Sequence, residues 1–100
     1  MSLSLRPDHE RMVRDILSAH LPAGFAVRVF GSRATGAPKP YSDLDLALEG
    51  PDSLTLAMLA DLTEAFSTSD LPFKVDIVDL RSASPTFRAA IERDGVALNP

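Results

Sequence analysis

The run Asp43-Leu44-Asp45-Leu46-Ala47-Leu48-Glu49 alternates acidic and apolar residues along most of its length. Successive side chains of a β-strand point to opposite sides of a sheet, so a period of two marks a strand with one buried face. Leu44, Leu46 and Leu48 are expected to enter a core. Asp43, Asp45, Ala47 and Glu49 then share the other face. This arrangement has a cost, because strand interiors disfavour Asp and neighbouring carboxylates repel. The plain explanation is a half-solvated sheet whose outer face carries charge. The alternative is that something cationic belongs there.

The remaining elements follow from pattern and punctuation. Pro7-Asp8 opens a helix with apolar residues at Met12, Val13, Ile16, Leu17 and Leu21, closed by Pro22 and Gly24. Phe25 to Phe30 is aromatic and β-branched and reads as a first strand. Gly31 to Ser42 reads as a loop, with room for a brief helical turn after Gly31. The alternating run, Leu44 to Glu49, is the second strand, stopped by Gly50-Pro51. A helix is expected from about Ser53 to Phe66, with Leu56, Leu59, Leu62 and Phe66 on its core face. Phe73 to Leu80 is the third strand. Ser84-Pro85 starts a last helix as cap and first residue, Gly95 caps its end, and Val96 to Leu98 has the makings of a short strand. Strands mixed with helices in this order predict an α/β (α+β, two-layer) fold with a small sheet and flanking helices, one sheet face staying partly open.

The third strand bears on the acids. In Phe73-Lys74-Val75-Asp76-Ile77, the apolar residues face one way and Asp76 the other. If this strand lies beside the second, three carboxylates meet on one face. Residues two apart in a strand are separated by about 6.6–6.8 Å. Paired metal ions in phosphoryl-transfer sites sit about 3.5–4 Å apart, so carboxylates at i and i+2 can straddle such a pair. Mg²⁺ suits an all-oxygen donor set and keeps room for water and phosphate. The loop offers a complement. Glycine at Gly31 lets backbone N–H groups approach a phosphate, the Ser32 hydroxyl adds a hydrogen bond, and Arg33 or Lys39 supplies a cation. Read blandly, Gly31-Ser32 is an ordinary strand-ending turn. Gly31 and Gly36 have the glycine spacing of a P-loop, but Ala37-Pro38 follows where Lys-Ser/Thr would be needed, which rules that motif out.

Size and charge narrow the classes further. One hundred residues suit one domain spanning residues 1–100. A net charge of −4 argues against broad attraction to nucleic acid. There is no cysteine, so disulfides and thiolate metal sites are excluded. The N-terminal residues lack the apolar core of a signal peptide and no apolar run spans a bilayer, so the expectation is a cytoplasmic protein with no membrane partner.

Together, Gly31-Ser32, Asp43-Leu44-Asp45 and Asp76 resemble the three-part pattern of the nucleotidyltransferase superfamily related to DNA polymerase β. The likeness is greatest to its small bacterial branch, the minimal nucleotidyltransferases (MNT). Arg33, Gly36 and Ser42 match the flanks of the motif, and Glu92, Gly95 and Val96 its closing segment. The resemblance implies the nucleotidyltransferase fold and a site for two Mg²⁺ ions, with ATP or another nucleoside triphosphate as substrate. Asp43 and Asp45 would hold both metals. Asp76 would bind the catalytic one and help deprotonate a hydroxyl acceptor. Gly31, Ser32, Arg33 and Ser42 would face the nucleotide. In this branch an all-helical partner of the HEPN or substrate-binding type supplies the missing helical domain, as homo- or hetero-oligomers. The MNT protein then acts as an antitoxin that transfers AMP to a tyrosine of the HEPN toxin.

Rival readings are a non-catalytic antitoxin or scaffold that binds a helical partner, and nucleotidyl transfer to a small molecule such as an antibiotic. Several residues carry blander expectations. His9 and His20 read as exposed helix residues, with His20 placed to favour the helix dipole. Asp79 is out of phase with Asp76 and reads as a strand-end or cap residue. Glu49 reads as solvated beside the strand exit. Tyr41 either packs the loop or stacks on a base.

Overall fold

The structure is a computed structural model describing residues 5–35 and 42–98. Helix α1 (Pro7–His20) leads into strand β1 (Ala26–Phe30) and a single helical turn, α2 (Ser32–Thr35). Strand β2 (Leu44–Glu49), helix α3 (Leu56–Ser67) and strand β3 (Val75–Asp79) form a crossover unit. A 3₁₀ turn (Leu80–Ser82), helix α4 (Pro85–Asp94) and strand β4 (Val96–Ala97) complete the described chain. The sheet order is β3-β2-β1-β4, with β2 and β3 parallel and the other pairs antiparallel. A mixed four-stranded sheet with flanking helices is the expected α+β architecture.

The leucines of β2 explain why the sheet has a defined inside. Leu44, Leu46 and Leu48 are each fully buried, with Val27 and Val29 of β1 on the same face. Val13 and Leu17 of α1 and Leu62 and Phe66 of α3 close this main core from above. A smaller cluster of Ala47, Leu80 and Ile91 lies on the opposite face, flanked by Phe30, and α4 covers it. Helices therefore cover one face broadly and the other only in part.

Local chemistry sets the boundaries. Thr55 caps α3 by accepting the Met58 N–H at 3.1 Å, so that helix begins at Leu56, later than the apolar spacing suggests. Leu56 then sits in the first turn and is 86% exposed, contrary to its expected place in the core. β3 is shorter than Phe73 to Leu80: Phe73 packs against the core outside the ladder, and Leu80 turns into the 3₁₀ segment. Ser84 caps α4 through the Phe87 N–H, with Pro85 at its start. Gly95 ends that helix with φ −72°, an ordinary angle. Its need for glycine is space, because a Cβ would collide with the Ile91 carbonyl.

Three polar residues differ from their plain readings or refine them. Glu49 is not simply solvated; it pairs with Arg88 of α4, and both are half-buried. His20 is 2.6 Å from Asp61, linking α1 to α3. Asp79 is a cap as expected, accepting from the Arg81 and Leu54 backbone N–H groups. Its bond to Leu54 ties β3 to the lead-in of α3.

Replacing Leu46 by Ala should lower unfolding free energy by about 2–5 kcal/mol, because a rigid core leaves a cavity. Leu56→Ala should change it by less than about 0.5 kcal/mol. Urea denaturation of the two variants checks both values.

Candidate active site

Two registers build the acidic patch. β1 and β2 place Phe30 opposite Asp45, and β2 and β3 place Asp45 opposite Asp76. Burial of the β2 leucines turns Asp45 to the other face. Val75 and Ile77 likewise pack on the main core and leave Asp76 opposite. Asp43 precedes the ladder, is exposed, and by alternation lies on the side of Asp45. The parallel pairing thus collects Asp43, Asp45 and Asp76 at one end of the open face.

The three acids act on one another. The Asp45 carboxyl is held above its usual pKa, first by burial, then by the charges of Asp76 and Asp43. Asp76 has a partner of its own, Lys74, whose Nζ is 3.6 Å from Oδ1. Among the described residues, no three His, Asp or Glu side chains converge closely enough to form a finished metal site.

Gly31 joins the loop to the acids. It follows β1 with φ +75°, a left-handed conformation, and a Cβ there would run into Asp45 Oδ2. Both facts select glycine. The backbone at Gly31-Ser32 is thereby brought against the Asp45 carboxylate. Arg33 has a different position from the one its charge suggests. It is buried, with Nε and Nη2 donating to the Ser42 carbonyl at 3.1 and 2.9 Å, and its guanidinium lies 4.2 Å from the centre of the Phe73 ring. Burial lowers its pKa from the usual value. Ser42 is engaged here through its carbonyl. Arg33 and Ser42 therefore tie α2 to the lead-in of β2. Gly36, Lys39 and Tyr41 lie outside the described residues.

The family described as "Polymerase beta, Nucleotidyltransferase" matches residues 13–99. This chain belongs to that family. The nucleotidyltransferase is 40% identical over 91 residues to a Haemophilus influenzae protein named "Probable protein adenylyltransferase MntA", covering 91% of this chain and 79% of the relative. It is also similar to a chain of a toxin–antitoxin crystal structure with AMP-PNP, at 29% identity and TM-score 0.77, covering 89% of this chain and 71% of that one. A third likeness is to a complex of a tri-AMPylated Shewanella oneidensis HEPN toxin with its MNT antitoxin. There the identity is 27% and the TM-score 0.69, with 89% of this chain and 67% of the other covered.

The residues of this nucleotidyltransferase suit a divalent cation. The donors are carboxylate oxygens, which hard cations prefer. The raised pKa of Asp45 comes first from burial and then from the charges of Asp76 and Asp43, and a cation would relieve that second cause. Sequence reading passed over Lys74 and Phe73 at this site. Lys74 was detectable, since it stands two residues before Asp76 and so shares its face. The contact of Phe73 with Arg33 depends on tertiary structure and left no local signal.

Asp45→Asn should stabilise the metal-free protein at neutral pH, by less than about 1 kcal/mol because the site is partly solvated. The sign follows from linkage. A carboxyl whose folded pKa is raised favours folding below its unfolded pKa and loses that contribution as pH rises through the folded value. The advantage of Asn should therefore shrink as pH falls toward about 4, the ordinary Asp range. Chemical denaturation in chelator at several pH values tests this. Gly31→Ala should destabilise by about 1–3 kcal/mol from backbone strain alone, read in the same assay.

Proposed function

We propose that this nucleotidyltransferase transfers AMP from ATP to a tyrosine hydroxyl of a HEPN-type partner protein and acts as its antitoxin. The carrying observation is the contact of Gly31 with Asp45 beside the Asp45–Asp76 register. A phosphate-binding turn and a set of acids are of use to triphosphate chemistry only when adjacent. The named adenylyltransferase relative and the AMPylated toxin complex support the choice of AMP and of a HEPN partner.

Asp43, Asp45 and Asp76 would hold two Mg²⁺ ions, which when bound supply charge stabilisation to the attacking and leaving oxygens. The remaining work falls to the chain itself. Gly31 and Ser32 orient the β- and γ-phosphates. Arg33 fixes that turn by holding Ser42 next to Asp43. Asp76 takes the proton of the acceptor hydroxyl. The acceptor oxygen bonds to the α-phosphorus, the bond from that phosphorus to the bridging oxygen breaks, and pyrophosphate leaves. A reaction that draws on ATP supports the reading of the protein as cytoplasmic.

Incubation of the chain with α-labelled ATP, Mg²⁺ and a HEPN-type partner protein should label the partner. Asp43→Asn and Asp45→Asn should each reduce labelling by about 100-fold or more, the scale of losing a major electrostatic element. Label that survives Asp45→Asn would overturn the assignment. Tight binding of the partner with no label from any triphosphate would support the scaffold reading instead.

A further inference from the structure

Lys74 stands on the catalytic face, in register with the acids. The Leu44 N–H donates to the Lys74 carbonyl at 2.9 Å, one of the bonds of the Leu44–Val75 pair that ends the parallel ladder. One residue back along each strand, Lys74 and Asp43 follow that pair, and alternation puts Lys74 on the face of Asp76. The two-strand face has four corners, three carboxylates and one ammonium. That ammonium is 3.6 Å from Asp76 Oδ1, and the two side chains are 74% and 43% exposed. An ion pair this open adds little to folding. Its position in the acidic patch matters more, because an ammonium beside Asp76 and a divalent cation between Asp76 and Asp45 are like charges competing for the same carboxylate.

We propose that Lys74 is an internal counter-cation, holding Asp76 in the metal-free protein and displaced when a divalent cation binds the aspartates. The proposal rests on the reading of Asp43, Asp45 and Asp76 as cation ligands. It accounts for three carboxylates sharing one patch without a metal, since one positive charge is already supplied. It also sets a threshold, because an incoming cation must both outcompete the ammonium and tolerate its charge nearby. Metal alone then binds weakly. A metal arriving on a triphosphate brings negative charge that offers the displaced ammonium a new partner.

The test is titration of the full chain with Mn²⁺, without nucleotide, followed by the paramagnetic resonance of free Mn²⁺. Lys74→Met should bind Mn²⁺ about three- to tenfold more tightly, the scale of removing one nearby charge at partly solvated distances. Lys74→Arg should stay near the parent, since it keeps the charge. In chelator, Lys74→Met should melt no higher than the parent and should gain more from added Mn²⁺. Unchanged or weaker Mn²⁺ binding by Lys74→Met would overturn the proposal. Asp45→Asn in the same titration tests the reading beneath it. Binding that survives that change would place the cation elsewhere and remove both.

Discussion

β2 and β3 are locked side by side through the layer beneath them. Leu44, Leu46 and Leu48 are sealed under α1 and α3, and Val75 and Ile77 pack into the same layer. Slipping either strand by one residue would turn its apolar set outward and its acids inward. The register that sets Asp45 opposite Asp76 is thus enforced from the side of the sheet opposite the acids. Hydrophobic burial holds together charges that would otherwise separate.

The opposite face is managed by restraint. α4 covers Ala47 with Leu80 and Ile91, and Arg88 anchors it to Glu49 while also bonding Glu92 and the Leu80 carbonyl. Along β2, therefore, Ala47 lies under the helix and Glu49 is neutralised by it. Asp45, two residues before Ala47, is left only partly covered. The same strand face carries a small second core at one end and an acidic patch at the other. Phe30 stands between them, opposite Asp45 and edge-on to Phe87.

Much of this was legible in the chain, and the reasons differ by feature. The faces of β2 and β3 followed from alternation, and the caps at Ser84 and Asp79 from their residue types. The parallel register did not, since no local pattern in Phe73 to Leu80 states which residue meets Asp45. Leu56 misled because helical spacing cannot tell the first turn of a helix from its middle; the cap at Thr55 decides that. Glu49 misled for another reason. A charged residue near a strand end reads as solvated until its tertiary partner, here Arg88, is known, and the contacts of Arg33 with Phe73 and Ser42 were equally invisible to local pattern.

The bond between Arg33 and Ser42 turns the intervening chain into a ring closed at its base. Within such a ring, length is nearly a free variable, because each doubling of a loop costs only about 0.6 kcal/mol of closure entropy. The spacing of Ser32 and Asp43 is then set by this bond at the base rather than by the chain between them. Anchored in this way, the turn at Gly31-Ser32 and the acids of β2 keep their relation through a single guanidinium.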